Sequence, residues 1–149
     1  KMQGCWAVML CFERPLHLAF DGAFVHDSPL SWIARNDSKP GRNGEGETWV
    51  LHASSEWSEE HLEDEPATVL ASLTDAFWQA TRTAPKAPTY ATSHRWRYAI
   101  PVEPLESLCL FDSNRRIGAC GDWCGGPRVE GAFLSGIAMA GHVLAHLGA

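Results

Sequence analysis

No stretch of this chain approaches the roughly 18 consecutive apolar residues that a membrane-spanning helix needs, and its amino end does not run from basic to apolar as a secretion signal does. A membrane partner is not expected, and the composition predicts a cytoplasmic protein. Basic residues are missing where acidic ones gather: from Glu45 to Glu65 there are eight carboxylates and no Lys or Arg, within a net charge of −6. Such a run repels a phosphate backbone, which argues against a nucleic-acid partner and reads as a solvated loop and helix start. The five cysteines form an odd set, three of them within apolar strand-like text, so buried thiols are expected rather than a disulfide framework. Cys120 and Cys124 have no second ligand pair at zinc spacing, and His142 and His146 have no accompanying Glu or third ligand, so no metal is expected. There is no G-x-S-x-G, no P-loop and no internal repeat, which leaves hydrolase and NTPase readings without support.

What remains is an ordinary globular balance of 149 residues, 45% apolar and 20% charged, long enough for a real core. "CWAVMLCFE" (Cys5 to Glu13) and "TWVLHAS" (Thr48 to Ser54) are strand-like. "SPLSWIARND" (Ser28 to Asp37) leads through the turn-rich "SKPGRNGEGE" into the second of these, which predicts an antiparallel hairpin. "EDEPATVLASLTDAFWQATR" offers Asp64 or Glu65 as cap, Pro66 in the first turn and a stripe of Val69, Leu70, Leu73, Ala76, Phe77 and Ala80, a clear amphipathic helix. "SHRWRYAIP" is a further strand, "LCLFDSNRRIGACGD" a hairpin turning at "DSN", and Val129 to Leu147 a terminal helix. The predicted class is α+β, with a mainly antiparallel sheet. Seven tryptophans are scattered rather than clustered, which suits core and pocket-wall roles better than a carbohydrate- or peptide-binding module.

The terminal helix has few polar side chains and carries Gly131, Gly136 and Gly141, so it is expected to be buried nearly all round, with glycines where a backbone or a flat ligand comes close. "IGACGD" followed by "CGGPR" makes a strand, a Gly-rich turn and a helix start. Unpaired first-turn N–H groups at such a corner favour an anion or carbonyl, with Asp122 as an acceptor for hydroxyls. A tight packing joint accounts for the same glycines equally well.

"IGACGDWCGGPRVEGAFLSGIAMAG" resembles the carboxyl-terminal flavin-binding segment of the FAD-dependent amine oxidase superfamily, where a strand ending in Gly-Asp turns into a helix with a G-A-x-x-S-G pattern. "HRWRYAIP" (His94 to Pro101) is similar to the renalase-like NAD(P)/FAD-dependent branch. The resemblance implies an FAD cofactor, with Gly121 and Asp122 at its pyrophosphate or ribityl region and Arg128, Val129 and Glu130 at the pyrimidine edge of its ring. Trp123 would pack on the flavin, on the pocket wall or in the core. It implies a substrate-binding domain over residues 1–116 and a strand-turn-helix of the FAD-binding, Rossmann-type domain over 117–149. The G-x-G-x-x-G fingerprint of such proteins is absent, and "GRNGEG" at Gly41 to Gly46 has the wrong spacing. The chain therefore reads as the later part of a longer protein whose amino-terminal half is a partner.

In a strand, Arg95 and Arg97 point to one face and His94, Trp96 and Tyr98 to the other. Either an aromatic wall receives a flat substrate or the arginine pair holds a carboxamide or phosphates; both rows in structural roles is the remaining reading. Substrate contacts are expected at Arg95, Trp96, Arg97 and Tyr98. As the resemblance implies, a hydride would pass from a dihydronicotinamide nucleotide or an amine to the flavin, with O2 as reoxidant. A conventional flavin amine oxidase and a non-catalytic binding domain without flavin are the alternatives, and no residue is singled out for proton transfer.

Overall fold

The computed structural model describes residues 1–42, 44 and 46–148. They form two compact units, one of Gly4–Arg97 and one of Lys1–Gln3 with the segment from Tyr98 onward. The expected boundary between residues 116 and 117 falls inside the second of these.

In the Gly4–Arg97 unit an antiparallel sheet is covered on one face by a helix. Strands β1 (Met2–Phe12), β2 (Gly22–Phe24), β3 (Leu30–Arg35), β4 (Glu47–Ala53) and β5 (Tyr90–Pro101) lie in the order β2-β3-β4-β1-β5, and the ends of β1 and β5 belong to the other unit. The expected hairpin is present as β3 and β4, with Ile33 opposite Leu51. A short 3-10 turn, Asn36–Ser38, follows β3. Alternation sorts the strand residues: Trp6, Val8, Leu10 and Phe12 of β1 and Trp49 and Leu51 of β4 are buried, while Met9, Val50 and His52 between them are only half-buried.

Helix α1 (Ser55–Glu60) is capped by the Ser54 hydroxyl, which accepts from Trp57 N at 3.1 Å. Helix α2 (Pro66–Thr81) starts on Pro66, whose missing N–H costs nothing at that position, and stops where Arg82 takes a left-handed conformation. It buries Val69, Leu73, Ala76 and Phe77 as expected. Ala80 is exposed instead, and Trp78, outside the expected stripe, is buried against Phe12 with ring centroids 5.6 Å apart. The wide indole extends the apolar face by one residue.

The acidic run is not uniformly solvated. Glu47 is 3% exposed, and its carboxylate accepts from Trp49 Nε1 at 2.6 Å and from Leu16 N at 3.2 Å. Two donors in a dry site hold a charge that composition assigns to water. Glu45 lies outside the described residues.

The second unit contains the hairpin β6 (Leu110–Asp112) and β7 (Ile117–Ala119), then helix α3 (Val129–Leu147). Asp112 closes the turn by accepting from the N–H groups of Asn114 and Arg115, both at 3.0 Å. The expectation that α3 is buried nearly all round is corrected: only Gly131 and Ser135 are buried, and Val129 is 90% exposed. Gly118 lies against Met139 and the Phe111 ring stacks on His142, so the described residues cover one strip of the helix. Apolar composition states what a helix needs to be covered by, and burial depends on what is there to cover it. Cys109 and Cys124 are buried thiols as expected, Cys5 and Cys11 are half-buried and Cys120 is exposed.

Candidate functional site

The strand-turn-helix corner of the second unit is fastened at two points. Gly121 N donates to the buried Ser135 hydroxyl at 2.8 Å, which ties the turn after β7 to the second turn of α3. Gly131 faces the Gly126 carbonyl, where a Cβ would collide with backbone that cannot move aside. These contacts give physical meaning to the G-A-x-x-S-G pattern of Gly131 to Gly136: its first glycine admits the loop and its serine holds the turn. No atom would meet a Cβ at Gly136 or Gly141, so of the three glycines of α3 the close-approach reading holds for Gly131 alone.

The loop itself is held by Leu105. Its N–H donates to the Trp123 carbonyl at 2.8 Å and its carbonyl accepts from Gly125 N at 2.9 Å. Gly126, at φ 129°, has no atom within 4 Å of where a Cβ would stand, a conformation that side chains avoid. Beside it lies a cavity of about 360 Å³ lined by Gly125, Gly126, Pro127, Arg128, Glu130 and Leu134. The first-turn N–H groups of Val129 and Glu130 have no acceptor within the helix. Arg128 and Glu130 are exposed, and Gly121, Asp122 and Trp123 are half-buried. The structure thus brings Arg128 and Glu130 to one cavity and Gly121 to the root of the same turn. Trp123 instead lines a separate cavity of about 460 Å³ with Met2, Pro101, Glu103 and Leu105. An open, glycine-walled cradle with free helix-start donors fits the polar edge of a flavin. It equally serves as a packing joint.

In the Gly4–Arg97 unit, β5 separates its two rows of side chains. Arg97 grips Glu63 with both terminal nitrogens, at 2.6 and 2.9 Å, and Arg95 donates to the same carboxylate at 3.2 Å and lies over the Trp6 ring. The hydrogen bond from Arg97, and then the two guanidinium charges, hold the Glu63 carboxyl below its ordinary range. Trp96 is 56% exposed and stands edge-on to His94, with ring centroids 4.5 Å apart. Both line a cavity of about 560 Å³ with Ala7, Met9, Val50 and His52. Tyr98 is 79% exposed and belongs to the other unit. Burial, and then the Lys39 charge, push the His52 imidazole below its ordinary value. Met9, Val50 and His52, with the small buried Ala7, were legible in principle as the alternate positions of β1 and β4 that face away from α2, and Ser135 as the serine of the G-A-x-x-S-G pattern; Glu63 carried no such signal. Among the described residues no group of His, Cys, Asp and Glu is placed to hold a metal, and no helix is long and apolar enough to cross a membrane.

No protein-family model matches the chain. Among solved structures it is similar to a protein described as a candidate protoporphyrinogen oxidase from Exiguobacterium sp. 255-15, with a TM-score of 0.59 at 8% identity, over 67% of this chain and 23% of that one. Wild-type putrescine oxidase bound to putrescine gives a TM-score of 0.49 at 14% identity, over 61% of this chain and 21% of that one. A cofactor-binding redesign of putrescine oxidase gives the same score at 12% identity. The chain therefore shares a mixed α/β fold, built on an antiparallel sheet, with part of a protein described as an oxidase, and spans 23% of that protein's length.

Proposed function

We propose that the chain is the carboxyl-terminal part of an FAD-dependent, renalase-like oxidoreductase, with a substrate sheet and the last cofactor contacts, and that an amino-terminal half supplies the AMP-binding fingerprint. The single observation behind this reading is the corner at α3. Its Gly121–Ser135 and Gly126–Gly131 contacts hold an open cradle at a helix start, on a fold shared with a protein described as an oxidase. Asp122 would accept hydroxyl hydrogen bonds, Gly121 would let the cofactor backbone come close, and the N–H groups of Val129 and Glu130 with the Arg128 side chain would meet the polar edge of the ring. Trp123, which lines the other cavity, would brace the turn rather than wall the ring. When bound, the flavin supplies hydride acceptance and reoxidation by O2 with release of hydrogen peroxide; the protein supplies orientation and exclusion of water.

A dihydronicotinamide nucleotide is the proposed substrate, its ring on the aromatic face that Trp96 presents and its phosphates toward Arg95 and Arg97. The Glu63 carboxylate now sits in the arginine fork, in the manner a phosphate would. One observation favours the conventional amine oxidase: both arginines are engaged away from the His94 and Trp96 face, so they do not oppose an amine there. Anaerobic mixing of the flavin-loaded, full-length protein with irregular NAD(P)H isomers and with monoamines tests the choice. Loss of the oxidised flavin band is expected with the isomers. Bleaching by monoamines alone selects the amine oxidase, and a full-length protein purified without flavin selects the non-catalytic binding domain.

A further inference from the structure

We infer that the face of the sheet turned away from α2 is a wall for an uncharged planar ring, which lies over Met9 and Val50 with His52 and His94 as its polar contacts and Trp96 beside it. The inference rests on the preceding reading only for the role of that ring as substrate.

The wall follows from pairing register. Ala7 stands opposite His52 and Met9 opposite Val50 across β1 and β4. The small Ala7 side chain leaves room beside the half-buried His52 imidazole, and Met9 and Val50 make the apolar floor of the concavity. On the far side of β1, β5 adds His94 and Trp96 to the same cavity of about 560 Å³, a volume that suits a ring with substituents. The cavity has no Lys, Arg, Asp or Glu in its lining, because β5 sends Arg95 and Arg97 to the other face, where Glu63 takes both. A charged ring would lose water here and gain no countercharge, whereas a neutral ring with a carboxamide could stack on the apolar surface and exchange hydrogen bonds with the imidazoles. The thioether of Met9 adapts to the face of such a ring. Selection is therefore by neutrality and flatness.

The test is an NMR titration of the isotope-labelled chain with nicotinamide, a neutral planar carboxamide, beside nicotinate and 1-methylnicotinamide, methylated on the ring nitrogen, as its anionic and cationic counterparts. Saturable shifts are expected at the His52 and His94 rings, the Met9 methyl and the Trp96 indole, with each charged probe binding at least about 10-fold more weakly. Trp96→Ala and His94→Gln, both at exposed positions, are each expected to weaken nicotinamide by about 3- to 10-fold. Phe24→Ala, an exposed ring outside the cavity, is expected to leave it unchanged. No saturable shift, equal affinity for the three probes, or wild-type affinity in both Trp96→Ala and His94→Gln overturns the inference. Ring binding by a protein whose full-length form takes no flavin would keep the inference and remove the oxidoreductase reading; flavin binding without ring binding would do the reverse.

Discussion

The backbone N–H of Gly121 and the hydroxyl of Ser135 meet at 2.8 Å, fourteen residues apart in sequence, and this bond fixes the angle at which the turn after β7 enters α3. Ser135 is wholly buried, so its hydroxyl has the fold and not water as its partner. Ser135→Ala leaves the Gly121 donor unpaired and is expected to cost about 1–3 kcal/mol in denaturant titration. An unchanged midpoint would show that the corner does not depend on this bond.

At Gly131 two effects oppose each other. Alanine gains about 1 kcal/mol of helix propensity over glycine. Its methyl group would meet the Gly126 carbonyl, and forced overpacking of this kind typically costs about 1–3 kcal/mol. Gly131→Ala is therefore expected to lower the melting temperature, while Gly136→Ala, with open space around it, is expected to raise it slightly. The same direction at both sites would contradict the close approach.

Asp122 separates the cofactor role from a turn role. In the flavin-loaded, full-length protein, Asp122→Ala is expected to lose about 1.5–3 kcal/mol of cofactor affinity with no fall in the melting temperature of the apoprotein. Reduced stability with unchanged flavin titration would assign Asp122 to the turn alone.

Glu47 holds two donors from the core, the Trp49 indole and Leu16 N. Glu47→Ala strands both and is expected to cost about 2–6 kcal/mol, since each buried unpaired group costs about 1–3 kcal/mol. Glu47→Gln keeps an acceptor and is expected to recover part of that loss. Equal destabilisation by the two, measured in urea, would point to the charge and its 3.8 Å pair with Arg35 as the larger effect.

His52 predicts a pH dependence of stability. Burial lowers its folded-state value below 6.5, so the unfolded chain binds the proton more readily. Its neutral form is accommodated above that pH, and stability is expected to fall as the pH drops below 6.5 through the depressed value. His52→Gln is expected to flatten this part of the profile. A slope that survives the substitution would place the titration on another group.

The sheet, the amphipathic helix and the terminal helix were legible because their signals are local. Alternation in β1 and β4, Pro66 at the first turn of α2, and the unbroken apolar text of α3 each determine an element without reference to a partner. The corner was legible only as a choice between a packing joint and a ligand site, since a glycine is equally consistent with both until the atom opposite it is known. Tertiary structure decided that Gly131 faces a carbonyl while Gly136 faces open space, and that Ser135 holds Gly121. It also decided that Arg95 and Arg97 share Glu63, more than thirty residues away in sequence. Alternation placed the two arginines on one face of β5, but it carries no information about what stands opposite that face. The apolar text of α3 made a helix, and its exposure followed from which residues the fold brought against it. Covering a side chain is a relation between segments, and no single segment contains it.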